Sequence, residues 1–265
     1  MIKKSTLSIA IATYNEAERI EKCLGAVSWA DEIIIVDGQS DDNTTSLAKK
    51  LGAKVISNTN KPMFHLNKQM AINACTSDWI LQLDADEIVS PALKTEIQTI
   101  LSKPVKDISQ NGYEIHRSNF FLTRFLKKGG QYPDSVFRLY KRGQGRLPCL
   151  SVHEKTVINP PIGLLRNDLL HYADTDFSRY LDRNNRYTTL MSHNLIEQKI
   201  PLDLPGFLNY FFLKPSVTFF QIYFRHLGFF DGFPGLIFAY YSAISHRSAY
   251  IKYYQSRHKN DRSRT

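Results

Sequence analysis

Cysteine is scarce in this chain. There are three among 265 residues, Cys23, Cys75 and Cys149, widely spaced and with no C-x-x-C pair. An odd, scattered set argues against a disulfide framework and a cysteine zinc site, and suits buried thiols in a reducing compartment. Long apolar runs are missing too. No stretch reaches the roughly 20 apolar residues that a membrane-spanning helix needs. The N-terminal apolar piece, Leu7 to Ala12, follows Lys3 and Lys4 but is broken by Tyr14, Asn15 and Glu16. It is too short for a secretion signal, so the expectation is a cytoplasmic chain. Internal repeats, low-complexity linkers and nucleic-acid-binding motifs are absent as well, which leaves nucleic acid out of the expected partners.

What is present is ordinary globular composition, 43% hydrophobic and 22% charged, in a length that suits one large domain or a core with an appendage. The balance is basic: 34 Lys and Arg against 25 Asp and Glu, a formal net charge of +9. A surplus of this sign suits an anionic partner, whether nucleic acid, an acidic membrane surface or a phosphorylated small molecule.

The first hundred residues alternate strand and helix. "LSIAIA" ends at Thr13-Tyr14-Asn15, where Asn15 is a good N-cap for a helix with Ile20, Cys23, Leu24 and Val27 on one face. "EIIIVD" is apolar throughout, as a strand buried on both faces should be. "AKVIS" and "DWILQLD" are further strands, with helices over residues 64–75 and 91–101. This rhythm predicts a mostly parallel sheet flanked by helices. Ligands of such sheets sit beyond the carboxyl ends of the strands. Thr13 to Glu16, Asp37 to Asp41 and Asp84 to Glu87 all fall there. After Gly112, "GYEIHRSNFF" and "SVFRLYKR" predict antiparallel strands, and residues 169–190 read as mostly helix. The expected division is 1–200 as the main domain, with halves 1–110 and 111–200, and 201–265 as a helical appendage.

Three carboxylates, Asp84, Asp86 and Glu87, close the apolar run "WILQLDADE". In an extended segment residues two apart point the same way, so Asp84 and Asp86 would face one site. Two carboxylates held together take up a proton or a cation. Mg2+ favours oxygen ligands and is commonly held by one or two carboxylates plus substrate phosphates. Asp37, at a strand end before Gly38, reads either as a turn-initiating residue or as an acceptor for a base imide or ribose hydroxyl. Lys68 reads equally as a phosphate-binding point charge and as part of a solvated helix face.

In combination, "SIAIATYNEAERIEKCL", "ADEIIIVDGQSDDNT" and "DWILQLDADEIVS" resemble the family 2 glycosyltransferases of GT-A (Rossmann-like) fold, and within them the lipopolysaccharide-core glucosyltransferase branch. "YPDSVFRLYKRG", "SVHEKT" and "LLHY" extend the resemblance more weakly. The resemblance implies a nucleotide diphosphate sugar, usually UDP-linked, and Mg2+ or Mn2+. It places Thr13, Asn15 and Glu16 beside the uridine, Asp37 on the base or ribose, Asp84 toward the ribose or metal, and Asp86 on the metal. Relatives often carry Arg-Asn or Gln-Arg-Asn where this chain has "HLNKQMAIN", which leaves the role of Lys68 open. The implied chemistry is an inverting displacement with a carboxylate base from the later, acceptor-side segment. Asp134 and Glu154 are the candidates, with Glu154 favoured and His153 beside it. Arg138 and His171 complete the acceptor side. The Q-x-x-R-W motif of processive synthases is absent, which implies transfer of one hexose, glucose by resemblance, to a lipid-linked or lipopolysaccharide-like glycan.

Residues 207–254 hold 17 of the chain's 32 aromatic residues, interspersed with Lys214, Arg225, Arg247 and Lys252. Aromatic residues mixed with basic ones suit a membrane interface. The same composition also fits a core-packing appendage or one that forms a homodimer. The expected location is peripheral, on the inner face of the cell membrane. Two rival functions remain open. One is a non-catalytic, membrane-associated binding protein with a degenerate transferase site. The other is a sugar-phosphate nucleotidyltransferase, which would need a Gly-rich loop with Arg where this chain has "ATYNEAER".

Overall fold

The computed structural model describes residues 4–60, 64–149 and 155–262. The chain divides into two compact units, one of residues 1–118 and 134–172, the other of residues 119–133 and 173–265. The boundaries lie at 118/119, 133/134 and 172/173.

The first unit is built on strands β1 (Leu7–Thr13), β2 (Glu32–Asp37), β3 (Lys54–Ser57), β4 (Trp79–Asp84) and β5 (Glu87–Val89). Helices α1 (Ala17–Val27), α2 (Thr44–Lys50), α3 (His65–Ala74) and α4 (Pro91–Leu101) connect or follow them. β6 (Gly112–Phe121), β7 (Arg124–Phe125), β8 (Asp134–Lys141), β9 (Gly145–Arg146), β10 (Val157–Ile158), β11 (Ile162–Leu164) and β12 (Leu169–Asp174) come next. The main sheet runs β3-β2-β1-β4-β8-β6-β12-β5. It is parallel through its first four strands, whereas β8 is antiparallel to both β4 and β6, and β12 to β5. The expected parallel sheet is therefore a mixed one, with the predicted antiparallel pair added at the β4 edge.

Strand parity sorts the core. Ile9 and Ile11, Ile33 and Ile35, and Leu81 and Leu83 pack with Ile20, Cys23 and Leu24 of α1 and with Leu93 and Ile97 of α4. The alternate positions, Ala10, Ile34, Val36 and Ile80, pack with Ala71 and Ile72 of α3. Both faces are covered, which is why β2 is buried at all its positions. Register aligns the carboxyl ends: Thr13 lies opposite Asp37, and Ala12 opposite Asp84.

One local expectation changes and another gains detail. Asn15 does not cap α1; the cap position is Glu16, and Asn15 has φ 54°. Asparagine is among the few residues that enter this left-handed region readily. The helix needs no Asn15 cap because Glu16 N–H donates to Thr44 Oγ1 (2.8 Å) and Ala17 N–H to Asp42 Oδ2 (3.1 Å). Residues 169–190 are mostly helix, as expected, but β12 comes first, and α5 (Phe177–Glu197) begins after Asp176, whose side chain accepts from Arg179 N–H at 2.8 Å.

The second unit contains α5, α6 (Leu204–Leu208), α7 (Lys214–Phe220) and α8 (Gly232–Arg262), with π-helical turns at Asn209–Leu213 and Gln221–Arg225. It is thus the aromatic-rich helical region the sequence led one to expect. Its cores are Phe121, Leu126 and Tyr180 in one cluster and Leu195, Tyr210, Tyr250 and Tyr253 in another.

At the amino end of the sheet, Glu32 is buried and accepts from Ser8 Oγ (2.5 Å), Thr76 N–H (2.8 Å) and Lys54 Nζ (3.0 Å). Burial pushes its carboxyl up, but these hydrogen bonds outweigh it and bring the group from 4.5 down to about 2. Such a group stabilises the fold fully above its unfolded value and loses that contribution as pH falls through its folded value. Glu32→Gln should therefore be less stable than wild type at pH 7 by on the order of 3 kcal/mol. In urea titrations the gap should close as pH falls from about 4.5 to about 2; a gap independent of pH would show that ionisation is not its source.

Candidate active site

Three loops meet the carboxyl ends of β1, β2 and β4. The first pair is organised by Asp37, which is buried. Its Oδ1 accepts from Thr13 Oγ1 (2.9 Å) and Ser40 Oγ (2.6 Å), and its Oδ2 from Ser40 N–H (2.8 Å). Three of its roughly four acceptor directions are used within the protein. Asn15 joins the same network: its N–H donates to Ser40 Oγ (2.9 Å), and its Oδ1 accepts from Asp41 N–H (3.0 Å). Gly38 donates its N–H to Thr13 O at 2.8 Å, and a Cβ there would lie 3.3 Å from Asn60. The turn is glycine because there is little room for more.

The acidic segment splits its charges. Asp84 shares parity with Ile80 and so lies on the α3 face, where it pairs with Lys68; its Oδ2 accepts from Arg138 Nη2 at 2.8 Å. Burial opposes its ionisation, but Arg138 and then Lys68 hold the carboxyl far below the usual range. β4 ends at Asp84 and a turn follows, so Asp86 does not stay in strand geometry. Its Oδ2 lies 3.6 Å from His171 Nε2 and 3.7 Å from Arg19 Nη1. Burial raises its carboxyl, but His171 and Arg19 together outweigh it, so it too sits below the ordinary value. His171 arrives there because β12 pairs with β5, setting His171 opposite Glu87, while Tyr172 N–H donates to Asp86 O at 2.8 Å.

Glu87 faces the other way and is fully buried. Its Oε2 accepts from Asp84 N–H (2.9 Å), and its Oε1 from Arg138 Nη2 (2.7 Å) and Arg117 Nη1 (3.3 Å). Arg117 Nη2 also donates to Asp134 at 2.7 Å. The result is a line of alternating charge: Lys68, Asp84, Arg138, Glu87, Arg117, Asp134. Beneath it, Cys23 is buried with Sγ 3.7 Å from Asp84 O, and burial together with Glu87, Asp86 and Asp84 pushes its thiol up.

The structure thus brings Lys68, Asp84, Arg138 and Asp134 into one ionic chain, Asp86 and His171 into a second cluster, and Thr13, Asn15 and Asp37 into a third. Glu16 sits beside the second cluster, 3.6 Å from Arg19. Glu154 and His153 lie outside the described residues. The sequence reading missed Arg19 and Arg117, and took Glu87 only as one of the three clustered carboxylates. Arg19 follows Glu16 by one helical turn, and Arg117 is a cation in an otherwise half-apolar strand. A carboxylate inside the buried "DADEIV" segment required such partners.

Removing one member of a buried ion set leaves the others uncompensated, typically at a cost of 3–5 kcal/mol. Glu87→Ala should cost about that much, read as a lowered urea midpoint with an unchanged slope. A variant as stable as wild type would show that Arg138 and Arg117 do not depend on it.

Residues 8–159 match the family described as Glycosyl transferase family 2. The chain is 31% identical over 209 residues to an uncharacterized glycosyltransferase of Rickettsia bellii, covering 72% of this chain and 68% of that one. It is 27% identical over 261 residues to the lipopolysaccharide core biosynthesis glycosyltransferase LpsC of Rhizobium meliloti, covering 92% of each. Among solved structures, the mannosyltransferase PcManGT from Pyrobaculum calidifontis, in complex with GDP-Man and Mn2+, has a similar fold, with TM-score 0.52 and 13% identity over 95% of this chain and 87% of that one. The fold is of GT-A type, and the chain belongs to glycosyl transferase family 2.

Proposed function

We propose that this glycosyltransferase moves one hexose from a UDP-sugar, with inversion, to a hydroxyl of a lipid-linked or lipopolysaccharide-like glycan. The observation that carries the reading is the unequal treatment of the two aspartates. Asp84 is held at hydrogen-bond distance by Lys68 and Arg138, whereas Asp86 meets His171 and Arg19 at 3.6 and 3.7 Å. Among the described residues no three His, Cys, Asp or Glu side chains form a ready metal cage. One carboxylate and one imidazole fit a Mg2+ or Mn2+ ion that takes its other ligands from substrate phosphates and water. Asp86 and His171 would hold that ion, which would neutralise charge on the departing diphosphate. GDP-Man and Mn2+ accompany the Pyrobaculum calidifontis mannosyltransferase, and the same two ligand classes are proposed here. The acceptor class follows the name of the Rhizobium relative.

The chain's own groups divide the remaining work. Thr13, Asn15 and Glu16, with the loop that Asp37 organises, border the nucleoside. Lys68, beside Asp84, is the cation nearest that carboxylate on α3 and would balance diphosphate charge. The base would take the acceptor hydroxyl proton as the new C–O bond forms at the anomeric carbon and the old one breaks with its electron pair on UDP. Asp134 is already engaged by Arg117, and Arg138 by Asp84 and Glu87. These commitments favour Glu154 as the base, with His153 beside it.

Calorimetric titration of UDP in Mn2+ and then in EDTA tests the site. Affinity should fall at least about tenfold on metal removal, and Asp86→Ala should abolish that metal dependence. UDP binding that ignores both changes would end the metal proposal. Glu154→Gln should lower turnover by about a hundredfold or more while leaving UDP affinity within about twofold. Turnover near wild type would remove Glu154 as base and bring Asp134→Asn forward as the next variant.

A further inference from the structure

Within the second unit, residues 204–240 expose large apolar side chains that its cores do not absorb. Phe220 is 60% exposed, Phe230 62% and Phe233 68%. Ring contacts join several into one patch: Phe220 to Phe224 (5.3 Å), Phe224 to Tyr223 (5.1 Å), Tyr223 to Phe229 (6.2 Å) and Phe229 to Phe230 (4.4 Å). The patch surrounds a sharp turn, where helical segments Leu204–Arg225 and Gly228–His258 are bent by 71° relative to one another. The turn is tightly built. A Cβ on Gly228 would come within 2.7 Å of Ile222 O, and one on Gly235 would overlap Gly228 O.

Charge sharpens the picture. Asp231 is the one acidic residue between 204 and 258. It sits among the exposed phenylalanines, yet it is buried and accepts from the backbone N–H groups of Lys127 (3.0 Å) and Lys128 (2.8 Å). Its negative charge is turned inward. Exposed around the same turn are Arg225 and, from the segment that binds Asp231, Arg124, Lys127 and Lys128.

We propose that this aromatic turn is a wedge that enters the outer part of an anionic lipid bilayer, with Phe229, Phe230 and Phe233 among the acyl chains and Arg124, Lys127, Lys128 and Arg225 at the headgroups. Contiguous exposed aromatics rimmed by cations suit a lipid interface. A second copy of this chain is the poorer occupant: a two-fold contact would set the same basic rim against itself. No single helix among the described residues is long and apolar enough to cross a membrane; the two segments flanking the turn reach that length and apolarity only together, as a pair bent by 71°. The proposal stands on residues 119–133 and 204–240 and does not rest on the transferase reading.

The test is co-sedimentation of the full chain with vesicles of phosphatidylcholine, alone or mixed with phosphatidylglycerol. Wild type should bind the mixed vesicles and bind the neutral ones more weakly. The double variant Phe230→Ser with Phe233→Ser should bind both at least about tenfold more weakly. Lys127→Glu with Lys128→Glu should lose the preference for anionic lipid alone. Far-UV circular dichroism and the urea midpoint identify a variant that has not folded. In that event Phe230→Trp in the folded chain is used instead, and brominated lipid should quench it. Absence of vesicle binding by wild type, or equal binding by the phenylalanine variant, would overturn the proposal. A dimer that the phenylalanine variant dissociates, without vesicle binding, would reassign the patch to self-association.

Discussion

A carboxylate with no exposure to water has to be neutralised inside the protein, and Glu87 imposes that requirement on the whole carboxyl edge of the sheet. It fixes Arg138 from β8 and Arg117 from β6, and through its second oxygen the backbone at Asp84. Those two arginines in turn hold Asp84 and Asp134. The antiparallel extension of the sheet is therefore not a passive addition to the parallel half. It delivers the cations without which the acidic turn after β4 could not be buried where it is.

The same constraint explains why neighbouring aspartates differ. Asp84 belongs to the strand and shares its parity, so it is drawn into the buried line of charge. Asp86 follows a turn and escapes it, meeting only the longer approaches of His171 and Arg19. One aspartate is thus locked by short ion pairs, and the other is held by longer contacts, which are the weaker ones at a given dielectric.

Much of this was legible in the sequence. The first four strands announced themselves through apolar runs that end in polar clusters, and those clusters do share one rim because β1, β2 and β4 are in register there. Asn15 misled because capping preference and left-handed preference favour the same residue type, and only the neighbouring Thr44 and Asp42 decide between them. Glu87 was read as part of an acidic cluster rather than as a buried hub, because periodicity over three residues of β5 carries no statement about which face is covered. His171 could not be placed beside Asp86 from sequence, since the β12–β5 pairing joins segments more than eighty residues apart.

Strand parity carries one more consequence, for how this chain can change length over evolution. Each residue from Trp79 to Asp84 alternates between the α1–α4 layer and the α3 layer. Deleting one residue there would send every later side chain to the opposite face, moving Asp84 away from Lys68 and toward the layer that holds Cys23. Length variation should therefore be confined to segments such as 102–111, between α4 and β6, where no sheet parity has to be preserved. The acidic turn is anchored as much by the count of residues before it as by the charges around it.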